Sequence, residues 1–237
     1  MAWSPVERRV IESWAGLGLP AGSRILLLSD RDSRWPALLG EAGLEAEWHD
    51  AAEPLPRADR RFAGAMVAGV LETNEWDRWM VQQAAARLEP DAPVVLVTRN
   101  LTSLASPGDA AWLAGRIVRE AAPRILRLAG LGRTAAPRRF AGRRYGASRL
   151  RGLLDRLGFE IERFEAAGAG WTAPLAALAP GQARALARFW VVVARTPRTG
   201  VLGGSVPLPP CREHVPAFER EQAQFLANRE TWAWQHP

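Results

Sequence analysis

The chain has 237 residues, a formal net charge of +6, one cysteine, eleven tryptophans and no lysine, so its basic charge is carried by arginine. That length buries a full α/β core without staples, and the single cysteine, Cys211, excludes an intrachain disulfide. The longest apolar runs, ILLL and FWVVVA, fall far short of the ~20 residues that span a bilayer.

The first stretch, MAWSPVERRVIESW, is charged early and has no apolar h-region, so a cytoplasmic protein without a signal peptide is expected. Pro5 after Ser4, with Val6, Val10, Ile11 and Trp14 at helical spacing, predicts a helix over 5–17. LGLPAGS ends it. The apolar strand RILLLS (24–29) then runs into a loop, DRDSRWP, that holds no glycine, and into a helix over 34–43. Further strands are predicted at 44–49, 62–70, 92–98, 159–165 and 188–195. Helices fit 75–89, a long stretch around 109–131, and 146–158. Near-continuous apolar strands alternating with helices predict a parallel sheet covered on both faces.

Between Arg116 and Arg156 twelve arginines stand against two acids, Glu120 and Asp155. Within 109–131, Ala110, Leu113, Ala114, Ile117, Ala121, Ile125 and Leu128 fall near one helical face, and Pro123 predicts a kink or a split. Two readings stay open: a cap over the site with its apolar face down, or a basic helix lying in a membrane interface. Nucleic acid is a poor fit, because only Phe140 and Tyr145 offer stacking among these arginines. No metal site is expected either, since His49, His214, His236 and Cys211 lack ligand spacing. After Pro197 the chain reads as a linker (197–211) and a tail. Over 212–237, Val215, Phe218, Phe225 and Trp232 form a stripe suited to docking on the parent domain, a protein partner or a second copy.

Three stretches together resemble the class I S-adenosylmethionine-dependent methyltransferases of the type 11 group. They are RILLLSD, the segment from HDAAEPLP through VLE and ARLEP to VTRN, and RRYGASRLRGLLDRLGFEIERFE. The resemblance implies an α/β, Rossmann-like three-layer sheet at 23–196, preceded by an N-terminal helix (1–22) and carrying a helical insertion at about 105–145. It also implies one βα unit fewer than usual, because few residues join EWHD to RRF. S-adenosylmethionine would be the cofactor, held by Ser29, Asp30, Asp32 and Ser33 of the first loop and by Asp50. Asp50 ends the second strand, where a carboxylate accepts from a ribose diol or lies near the adenine. Glu72 and Tyr145 would line the acceptor side as catalytic candidates, Asn74 would cap a helix, and the acceptor would be small or lipid-like.

The departures are specific. The family's loop glycines are replaced by Ser29, Arg31 and Ser33, the acid late in the first strand by Leu27, and the later Asp and His by Ala63 and Thr73. They set a rival expectation: a closed loop with Asp30 or Ser33 capping the next helix, in a catalytically inactive binding or assembly subunit.

Overall fold

Ser4 opens the first helix, α1 (Pro5–Ala15), through a reciprocal capping box. Its hydroxyl accepts from the Glu7 amide at 3.3 Å, and its own amide donates to the Glu7 carboxylate at 2.7 Å. The computed structural model describes residues 3–30, 33–50, 61–72, 77–104, 107–128, 144–168 and 186–198. The tail at 212–237, Asp32, Thr73 and Asn74 lie outside the described residues, as does the linker beyond Arg198.

After α1 the elements run β1 (Arg24–Ser29), α2 (Trp35–Glu41), β2 (Glu45–His49), β3 (Gly64–Ala68), α3 (Asp77–Ala85) and β4 (Pro93–Arg99). They continue with α4 (Pro107–Leu128), α5 (Ala147–Arg156), β5 (Glu160–Ala167) and β6 (Phe189–Arg195). Every predicted strand is present, most with ends trimmed or shifted by one or two residues. The sheet order is β2-β1-β3-β4-β6-β5. β1 pairs in parallel with β2 and β3, and β3 with β4. β6 runs antiparallel to both β4 and β5, so the expectation of a wholly parallel sheet needs correcting. An apolar run records burial on two faces and carries no mark of direction. β2 and β3 are joined by positions 50–63 alone, too short for a further strand with its crossover helix.

Side chains alternate across the sheet, as the period of two demands. Leu26, Leu28, Ala65, Val67, Val94, Leu96, Val192 and Ala194 point to one face, packed with Met80 and Val81 of α3 and Leu150, Leu153 and Leu154 of α5. Ile25, Leu27, Met66, Val95, Val97, Val191 and Val193 point to the other, packed with Val6, Val10 and Trp14 of α1 and Leu38 and Leu39 of α2. The N-terminal helix is thus a wall of the domain. Gly64 suits the close packing inside β3, since an added Cβ would sit only 3.0 Å from the Pro93 carbonyl oxygen.

The insertion helix stands apart from these layers. α4 continues through Pro123, which therefore does not split it. Along its described part Ile117 is 59% and Val118 64% exposed, while Ala110, Leu113 and Ala121 are partly buried. Among the described residues, no helix is long and apolar enough to cross a membrane.

Candidate functional site

In an open α/β sheet ligands bind beyond the carboxyl ends of the parallel strands. At that rim β1 ends in Ser29, which is buried. The Ser29 and Ser33 hydroxyls are 2.8 Å apart, and the Ser33 amide donates to the Asp30 carbonyl at 3.1 Å, which ties the two ends of the glycine-free loop together. α2 begins at once with no side-chain cap, so neither Asp30 nor Ser33 does the capping expected of a closed loop. Asp30 is exposed. Its carboxylate lies against Gly69 after β3, where φ is +76° and an added Cβ would sit 3.8 Å from Oδ2. Gly69 went unremarked in the sequence, although a glycine just past an apolar strand signals such a left-handed turn.

β2 is held to β1 at its end by Trp48, whose indole N–H donates to the Ser29 carbonyl at 3.0 Å. With Leu28 opposite His49, the next residue of each strand brings Ser29 and Asp50 to neighbouring positions on the rim. Asp50 is exposed there. Ser29, Asp30, Ser33 and Asp50 are therefore assembled at one end of the rim. Ser29 fixes the turn from beneath while the two carboxylates reach solvent. His49, by contrast, is partly buried and its Nε2 pairs with Glu47 Oε1 at 3.1 Å.

The acceptor-side candidates separate. Glu72 follows β3 and is buried. Its Oε1 accepts from the Thr98 hydroxyl at 3.0 Å and from the Arg99 amide, latching the end of β3 to the end of β4. Oε2 is buried with no hydrogen-bond partner among the described residues. Burial raises the Glu72 pKa above the usual carboxylate value, against the lowering effect of its hydrogen bonds and of Arg99. Tyr145 lies deeper and is wholly enclosed. Its hydroxyl donates to Asp77 Oδ2 at 2.5 Å, with the Leu71 carbonyl at 3.3 Å, while its own carbonyl accepts from the Trp190 indole at 2.8 Å. It is a latch between α3 and the start of α5.

Beyond Glu72 the rim holds a group that sequence reasoning missed. Asp109, in the first turn of α4, is buried and ion-pairs Arg144 at 2.8 Å. Arg144 is also buried, and its guanidinium lies 4.2 Å from the centre of the Trp112 ring. Arg188 reaches the other Asp109 oxygen at 4.0 Å. This pairing anchors the start of the insertion to the domain. Its only sequence signal was the lone acid Asp109 ahead of an arginine-rich run.

Order of strands and layers together define a Rossmann-like α/β fold, a mixed six-stranded sheet with helices on both faces. No protein-family model and no curated protein matches the chain. Among solved structures it is similar to an S-adenosylmethionine-dependent methyltransferase from Mesorhizobium loti, at 18% identity and TM-score 0.42 over 80% of this chain and 97% of that one. It is similar to magnesium protoporphyrin IX methyltransferase from Synechocystis with bound S-adenosylhomocysteine, at 10% and 0.44 over 81% and 82%. The [4+2]-cyclase SpnF gives 17% and 0.44 over 80% of each chain. At such scores likeness decides no chemistry, and the residues of the rim must.

Proposed function

We propose that this chain binds S-adenosylmethionine at the β1–β2 end of the rim and transfers its methyl group to a small acceptor bound toward Glu72. The observation that carries the reading is the pair of exposed carboxylates, Asp30 and Asp50, at the ends of two neighbouring strands tied by the Trp48–Ser29 hydrogen bond. Their chemistry fits the cofactor. Asp50 accepts from a ribose diol, and Asp30 faces the cationic methionine end, where bare backbone would offer no countercharge. Ser33, with Asp32 from the sequence, completes the loop, and Ser29 holds its shape. When bound, the cofactor supplies a methyl group on a sulfonium. The protein's part is to align the acceptor and exclude water. Glu72, with its affinity for a proton raised and Oε2 unsatisfied, is suited to hold or take a proton from an acceptor hydroxyl or amine.

A thermal-unfolding series with S-adenosylhomocysteine tests this. At 100 times Kd the ligand should stabilise the protein by about 2.7 kcal/mol. No shift at millimolar ligand would leave the inactive binding or assembly subunit as the better reading.

A second proposal rests on Ile117 and Val118, whose exposure on an arginine-rich helix favours peripheral contact with anionic lipid. Flotation with anionic vesicles, and not with neutral ones, should carry the wild type and fail for Ile117→Asp/Val118→Asp. Equal flotation of both would refute it.

A further inference from the structure

Three arginines arrive at the β4–β6 end of the rim from three separate parts of the chain. Arg99 is the last residue of β4 and exposed, Arg188 precedes β6, and Arg144 precedes α5. Backbone hydrogen bonds hold these points together: the Tyr145 amide donates to the Arg99 carbonyl at 3.0 Å, and the Asn100 amide to the Arg188 carbonyl at 2.9 Å. Among the described residues, the carboxylate Asp109 sits inside the group, 2.8 Å from Arg144 and 4.0 Å from Arg188. Glu72 touches its edge through the Arg99 amide, and burial weighs against its charge. The Arg188 side chain stays 45% exposed and, among the described residues, is ion-paired only at that distance. Arg144 holds its proton less tightly than usual because it is buried and because Arg99 and Arg188 repel it, with Asp109 opposing both. Among the described residues this group carries more positive than negative charge and is partly shielded from water, conditions that favour an anion's oxygens.

We infer that Arg99 and Arg188, backed by the Asp109–Arg144 pair, bind an anionic group, carboxylate or phosphate, on the acceptor. This inference rests on the methyltransferase reading for the word acceptor, though the anion site stands without it. An anchored anion would fix one end of the substrate beside Glu72 while the opposite end of the rim holds the cofactor. Arg144 is a positioning residue here, committed to Asp109, and the two arginines nearer solvent make the contacts.

The test uses the full chain and two probes, inorganic phosphate and succinate, each against chloride at matched ionic strength. Thermal shift and calorimetry should give saturable stabilisation by at least one probe at millimolar concentration, and the responding probe identifies the anion class. Arg188→Gln and Arg99→Gln should each weaken that binding fivefold or more. Arg8→Gln, an exposed arginine on α1, should leave it within twofold. S-adenosylhomocysteine affinity should also stay within twofold in Arg188→Gln. The inference is overturned by probes that act no better than chloride, by an Arg8→Gln loss equal to the others, or by a parallel fall in S-adenosylhomocysteine affinity, which would assign the arginines to the cofactor. Probe binding without any S-adenosylhomocysteine binding would keep the anion site and remove the methyltransferase reading.

Discussion

Replacing Tyr145 by phenylalanine separates the two roles the residue can have. Tyr145 is fully enclosed, and its hydroxyl donates at 2.5 Å to a carboxylate that is itself 8% exposed. A hydrogen bond that short to a buried carboxylate is of the charge-assisted kind. Such bonds contribute about 1.5–3 kcal/mol, and phenylalanine leaves the Asp77 oxygen without this donor while changing almost no volume. For a chain of this length each kcal/mol moves the melting temperature by about 2–4 °C, so Tyr145→Phe should lower it by about 3–12 °C. Urea unfolding should report the same loss through the midpoint with an unchanged slope, and S-adenosylhomocysteine should still bind. The reasoning is refuted if Tyr145→Phe keeps wild-type stability. A change in acceptor turnover alone would restore the wall-of-the-site role that the resemblance implied.

Asp109→Ala strands the Arg144 guanidinium in the interior and should cost about 3–5 kcal/mol in urea unfolding. Asp109→Leu/Arg144→Met, which removes both charges, should be milder, and a harsher double variant would contradict the buried-pair account. Because the Glu72 pKa is raised above its ordinary value of 4.5, the folded state holds that proton more tightly than the unfolded chain. Its contribution is therefore present below about pH 4.5 and lost as pH rises through the higher folded value. Glu72→Gln removes that slope, a tenfold difference in proton affinity being worth about 1.36 kcal/mol. Unfolding from pH 4 to 8 should show the variant gaining on the wild type as pH rises, and parallel curves would defeat the claim. Gly69→Ala places a Cβ at φ +76° and should cost about 1 kcal/mol or more. A neutral result would remove that turn from the site.

Much of the layout could be read from the chain because it is local. RILLLS and FWVVVAR announce buried strands by composition alone, and Ser4-Pro5 with Glu7 writes a helix start within four residues. The rim position of Asp50 was legible because a residue ending a strand has its place fixed by the strand. What escaped was set by tertiary meetings. The direction of β6 depends on how the chain returns to the sheet, and burial patterns are blind to it. The hydrogen bond from the Tyr145 hydroxyl to Asp77, on another element, is one such meeting. Asp109, Arg144 and Arg188 carry no shared motif, so their meeting is visible only once β4, β6 and the start of α5 lie side by side. The loop itself was half legible. Its lack of glycine was plain, while the tie between Ser29 and Ser33, with Asp30 and Asp50 exposed beside it, was not.

The central claim is that a rim closed by serines still accepts an adenosyl group through Asp50. Calorimetric titration of S-adenosylhomocysteine into the wild type and into Asp50→Ala addresses it most directly. The account predicts one site per chain in the wild type and loss of binding in the variant, with both proteins equally folded. Undiminished binding by Asp50→Ala, or no heat from the wild type at millimolar ligand, would contradict it.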